Sequence, residues 1–118
     1  MVTFDCADPK RLAAFWSAAL ETTIVGDYGD FVFLASPPGG GPALGFQRVP
    51  EPRAGKNRVH VDLTTDDREA EVARLVGLGA AVSYDQVGVV PGIDWTTLTD
   101  PEGNVFCLGQ HAGQGAGG

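Results

Sequence analysis

Asn57-Arg58-Val59-His60-Val61-Asp62-Leu63 opens the second half of a 118-residue chain and decides how the rest is read. Its residues alternate with the period of a strand that has one face against a core. Val59, Val61 and Leu63 share one face, and His60, Asp62 and Thr64 share the other. The first face has the composition of a core. The second carries an imidazole and a carboxylate and has the chemistry of a cavity wall.

Downstream, Asp66 and Glu69 have capping-box spacing at a helix start, Val72, Leu75 and Val76 supply an apolar stripe, and Gly79 is a suitable terminator. Residues 80–84, 95–99 and 104–109 then read as three strands. A loop is expected over 85–94, and Asp100-Pro101-Glu102-Gly103 has the residues of a tight turn. Upstream, residues 1–7 read as a strand with Val2, Phe4 and Cys6 on one face and Met1, Thr3 and Asp5 on the other. Asp8-Pro9 starts a helix whose stripe is Leu12, Phe15, Trp16, Ala19 and Leu20. A hairpin of residues 22–25 and 31–35, a Pro- and Gly-rich loop over 36–42 and a strand over 43–49 complete that half.

The two halves share one order of elements, strand, helix and three strands. A shift of 59 lays Val2 on Val61, Phe4 on Leu63 and Asp8 on Asp67, and a shift of 60 lays Phe46-Gln47 on Phe106-Cys107. The fold expected is α+β: two βαβββ repeats, residues 1–49 and 57–109 with a stiff connector at 50–56, whose curved mixed sheets enclose a central cavity. Residues 1–109 make one domain, and 110–118 form a flexible Gly-rich tail in which His111 is solvated.

Composition excludes several classes of partner. A chain of this length buries roughly two thirds of its unfolded surface, enough for a real core. Eight Lys and Arg against 15 Asp and Glu give a net charge of −7, with no basic stripe for nucleic acid or an anionic membrane. No apolar run approaches a membrane span and no leader is read, so a cytoplasmic protein is expected. Cys6 and Cys107 lie in separate expected strands, without the Cys-x-x-Cys spacing of a zinc or redox site.

Three stretches together resemble the vicinal oxygen chelate superfamily, of the glyoxalase-like and bleomycin-resistance type. They are Val2-Thr3-Phe4-Asp5-Cys6-Ala7-Asp8-Pro9 running into Phe15-Trp16, the stretch from Asn57 to Leu63, and Leu98-Thr99-Asp100-Pro101-Glu102-Gly103-Asn104-Val105-Phe106-Cys107. The resemblance implies a homodimer that binds a small molecule. It also implies that a divalent ion, where one is held, takes one ligand from the first and last strand of each repeat, positions that fall on Met1, Gln47, His60 and Cys107. The family's usual glutamate is replaced by Cys107, and Met1 is not a family ligand type. Oxygen-preferring ions suit this set poorly, and softness alone would favour Cu(I). No cofactor is therefore favoured, and a metal-free cavity is expected.

Alternation places Met1, Thr3, Asp5, Gln47, His60, Asp62, Thr64, Trp95, Thr97 and Cys107 on the cavity faces. A carboxylate on a half-buried strand needs a partner. Asp5 and Asp62 are thus candidates to pair with Arg58 or Arg48, or to act with His60 as acid and base. Trp95 can pack or stack on a planar ligand, and Cys107 is a nucleophile only where a neighbour favours its thiolate. The leading expectation is a binding protein of sequestration or resistance type for an apolar or aromatic molecule. The others are a lyase or isomerase, metal-dependent or using Asp5, Asp62 and His60, and an interaction module whose cavity is filled by its own side chains.

Overall fold

The computed structural model describes residues 1–52, 54–55, 57 and 60–111. Arg58 and Val59 of the expected strand, and residues 112–118 of the expected tail, lie outside the described residues. The elements follow the order β1 (Val2–Cys6), α1 (Pro9–Ala19), β2 (Ile24–Asp27), β3 (Phe31–Leu34), β4 (Leu44–Arg48), β5 (Val61–Thr64), α2 (Arg68–Leu78), β6 (Ala81–Val90), β7 (Ile93–Thr99) and β8 (Val105–His111). This is βαβββ twice. The chain divides into two compact units after Gly55, each with one helix and one four-stranded mixed sheet, ordered β1-β4-β3-β2 and β5-β8-β7-β6. In each, the strand before the helix pairs parallel with the last strand, and the other pairings are antiparallel.

In the first unit, the Asp8 carboxylate accepts the Arg11 N–H at 3.2 Å and Pro9 takes the first helical position, where its missing N–H leaves no bond unmade. Leu12, Phe15, Trp16 and Ala19 are buried with Val32, Leu34, Leu44 and Phe46. Trp16 meets Phe4 and Phe15 edge to face at 5.6 and 5.2 Å between ring centres, contacts worth ~0.5–1.5 kcal/mol each beyond their burial.

The second helix departs from expectation. Its cap is Asp67, which accepts the Ala70 N–H at 3.2 Å, and not Asp66 of the expected capping box. Of the expected stripe only Leu75 is fully buried, while Val76 is 45% exposed. A polar anchor replaces the missing apolar contact. The Arg68 guanidinium donates to Thr96 Oγ1 at 2.7 Å and Asp85 Oδ1 at 3.2 Å, and the Arg68 backbone N–H donates to Gln110 Oε1 at 2.8 Å.

The strand register also corrects the repeat. Phe4 lies opposite Phe46 and Val61 opposite Phe106, so with Phe46 and Phe106 equivalent, β1 and β5 repeat at 57 residues, whereas the helix caps repeat at 59. Two extra residues between β5 and α2 absorb the difference. The counterpart of His60 is therefore Thr3 and not Met1, and Asp5, opposite Gln47, is the counterpart of Asp62, opposite Cys107.

The expected loop over 85–94 is instead a long hairpin of β6 and β7. Gly88 and Pro91-Gly92 imitate a loop in the sequence. Gly88 (φ +72°) actually forms an irregularity within the strand, held by its N–H donating to Asp94 Oδ1 at 2.9 Å, and Gly92 (φ +90°) makes the turn. β8 likewise runs two residues into the expected tail, pairing Gln110 with Asp94 and His111 with Ile93. No helix among the described residues is long and apolar enough to cross a membrane.

Candidate functional site

Both sheets turn one face to their helix, and the other faces differ. In the second unit that other face lines an open cavity of about 500 Å³, within the ~300–1,000 Å³ of small-molecule sites. Strand pairing sets its layout in two rows. Asp62, Cys107, Thr97 and Tyr84 are successive cross-strand partners on β5, β8, β7 and β6, and Thr64, Gly109 and Trp95 form the next row. Gly109 lies between Thr64 and Trp95, and a Cβ there would come within 3.3 Å of Ile93 Cδ1, so the bare backbone is what lets the Ile93 side chain lie against the sheet at this point.

At one edge, His60 Nδ1 lies 2.9 Å from Asp62 Oδ1. Both side chains reach solvent. Cys107 joins them: one ligating atom each of His60, Asp62 and Cys107 lie within 4.8 Å of one another. Thr97, 3% exposed, places Oγ1 3.6 Å from the Cys107 sulfur, while both cysteines are free thiols. Asn57, just ahead of β5, donates through its side-chain amide to the Val105 carbonyl at 3.2 Å and accepts the Val105 N–H at 2.8 Å. This amide continues the ladder beyond the end of β5 and fixes the start of β8 beside His60. After β7, the buried Asp100 carboxylate accepts the backbone N–H groups of Glu102 and Asn104, each at 2.9 Å, which fixes the turn into β8.

Of the ten residues expected on cavity faces, His60, Asp62, Thr64, Trp95, Thr97 and Cys107 line this cavity. Met1, Thr3, Asp5 and Gln47 belong to the first unit, where Thr3 and Asp5 are exposed and lie opposite Gly45 and Gln47. Of the proposed acid-base trio, His60 and Asp62 belong to the second unit and Asp5 to the first. His60 takes Asp62, while Arg48, one suggested partner of the aspartates, bonds Asp30 at 3.1 Å and the Ala7 carbonyl at 2.6 Å. The other suggested partner, Arg58, lies outside the described residues. Leu63, Tyr84, Ile93, Val105, Gly109 and His111 line the cavity without having been expected there, Leu63 having been placed on the core face. Beyond Cys107, two of them carried a signal, Gly109 and His111, because the three continue one alternation. Gly-rich composition after 109 obscured it.

The fold matches known proteins. A model of the glyoxalase-like domain matches residues 1–109, and the chain belongs to that family, within the vicinal oxygen chelate superfamily. Among solved structures it is similar to a glyoxalase/bleomycin resistance protein/dioxygenase family enzyme from Burkholderia phytofirmans PsJN, with TM-score 0.78, 19% identity, and 93% of this chain and 95% of that one covered. A glyoxalase family protein from Bacillus cereus gives TM-score 0.73 and 16% identity, covering 95% and 92%. The fosfomycin resistance protein FosX from Mesorhizobium loti gives 0.72 and 16%, covering 94% and 89%. At these identities the likeness shows the fold. No curated protein matches the chain.

The divalent ion that the family implies can be tested against the donors present. Its four positions fall two in each unit, and with Thr3 in place of Met1 as the counterpart of His60 they carry a hydroxyl, an amide, an imidazole and a thiol. Met1 Sδ lies 3.2 Å from where a Gly45 Cβ would stand, packed over its own sheet. Oxygen-preferring ions such as Mg²⁺ do not fit this set.

Proposed function

We propose that the protein binds a small, predominantly apolar or aromatic molecule on the open face of its second sheet. The single observation that carries this reading is the cavity itself. Trp95, Ile93, Val105 and Tyr84 give it apolar and aromatic walls, and the His60–Asp62 pair stands at one polar edge. Apolar walls with few placed polar groups are what a site needs to bind by burial and orient by hydrogen bonding. A planar ligand stacks on Trp95 and directs a polar substituent to His60, so no metal is required for recognition. The fosfomycin resistance protein among the similar structures is consistent with sequestration or resistance as the role.

The experiment is a thermal-shift series with planar aromatic compounds, with and without chelator. Saturable stabilisation that ignores chelator and disappears in Trp95→Ala supports the reading, since a ligand at 100 times its Kd adds roughly 2.7 kcal/mol. Stabilisation unchanged in Trp95→Ala would remove Trp95 from the site and sink it.

A second reading rests on the 2.9 Å contact between His60 Nδ1 and Asp62. A carboxylate on one ring nitrogen orients the other to take or give a proton, as a lyase or isomerase needs. Turnover lost in His60→Ala while ligand-induced stabilisation persists would favour catalysis over binding alone.

A further inference from the structure

We propose that the molecule held in the second unit's cavity is an organic cation, a planar aromatic ring with an arm that ends in a protonated amine and pairs with Asp62. This rests on the reading of that cavity as the ligand site, and it names the chemical class the site selects.

Three observations carry the inference. The first is the charge of the walls. Among the described residues that line the cavity, Asp62 is the single carboxylate and none is Lys or Arg. The described arginines of this unit are engaged elsewhere, Arg68 with Thr96 and Asp85 and Arg74 with Glu71. A net charge of −7 over the chain adds to the same sign. The second is the room left on the carboxylate. The Asp62 side chain is 67% exposed, and its contact with His60 Nδ1 at 2.9 Å occupies Oδ1. Among the described residues nothing bonds Oδ2, and the ring on Oδ1 holds the group at the cavity edge for an incoming donor. The third is the distance to the aromatic platform. Trp95 lies two strands across the sheet from Asp62 and one row along it. Strand spacings of ~4.8 Å and rises of ~3.3 Å per residue put their Cα atoms roughly 12 Å apart. A ring stacked on Trp95 therefore reaches Asp62 through a flexible arm and not with an amine fixed to the ring itself.

Electrostatics decides between ligand classes. An ammonium at Oδ2 gains a hydrogen bond together with the attraction of opposite charges, a hydroxyl gains the bond alone, and a carboxylate meets a like charge. The face of the Trp95 ring acts in the same direction, since its negative quadrupole attracts cationic groups. Asp62 is open to solvent, so screening keeps the preference modest. It should be about fivefold, the upper end of what an exposed ion pair supplies.

The test is calorimetric titration of the full chain with three matched naphthalenes, whose butyl arm ends in an ammonium, a hydroxyl or a carboxylate. The expected order is ammonium, then hydroxyl, then carboxylate, with about fivefold between the first two at low salt. Raising the ionic strength from about 10 mM to about 1 M, which shortens the Debye length from ~30 to ~3 Å, should remove most of that preference and leave the hydroxyl compound unaffected. Asp62→Asn should bring the ammonium and hydroxyl compounds to equal affinity, whereas Asp5→Asn, at the equivalent place on the first sheet, keeps the wild-type order. The salt series needs no variant, so the result does not depend on how Asp62→Asn folds. Equal binding of the three compounds, a carboxylate that binds best, or an ammonium preference that survives Asp62→Asn overturns the proposal and leaves the cavity reading standing. Failure of all three, the neutral one included, overturns both.

Discussion

The open face of the first sheet carries Thr3, Asp5 and Gln47 where that of the second carries His60, Asp62 and Cys107. The scaffolds match in element order and register, and one carboxylate is common to both. What differs is one imidazole and one thiol. The backs of the sheets differ in the opposite sense. α1 buries Pro9, Leu12, Ala13, Phe15, Trp16 and Ala19, whereas α2 fully buries Leu75 alone and leans on Arg68. One repeat buries more of its helix, and the other carries the imidazole and the thiol on its open face. A duplicated fold can divide its labour this way because the helix side and the open side of each strand are set by alternate residues and change independently.

The contrast in cores makes the largest predictions. Trp16→Ala should cost about 3–5 kcal/mol and Leu75→Ala about 2–5 kcal/mol, read by denaturant unfolding. If the second unit depends on its polar anchor, Arg68→Ala should cost about 1–3 kcal/mol through the loss of the bonds to Thr96 and Asp85. An unchanged midpoint for Arg68→Ala would erase the distinction between the two helices. The contrast in faces makes a finer prediction. Gly109→Val should push the Ile93 side chain into the cavity beside Trp95 and weaken ligand binding at least about tenfold, a loss of about 1.4 kcal/mol.

Much of this was legible in the sequence because periodicity reports which face a residue takes. His60, Asp62 and Thr64 against Val61 and Leu63 needed only the strand period, and Asp8-Pro9 needed only helix-cap chemistry. Register is a different matter. Nothing local says that two extra residues follow β5, so a uniform shift of 59 paired His60 with Met1 and left Asp5 and Asp62 unrelated. Glycine misled at Gly88, which fell in the expected loop over 85–94 yet forms an irregularity within β6. The His60–Asp62–Cys107 grouping needed the parallel pairing of β5 with β8, a long-range contact that no local pattern encodes.

The central claim is that the small-molecule site is the open face of the second sheet. Its most direct test uses the two tryptophans, one buried behind the first sheet and one in the cavity. In Trp16→Phe, the remaining emission comes from Trp95 alone and can be titrated with planar aromatic compounds. The account predicts a saturable change with at least one compound, weakened by Gly109→Val and indifferent to Thr3→Ala. A saturable change that Gly109→Val leaves intact, or no saturable change with any compound, would contradict it.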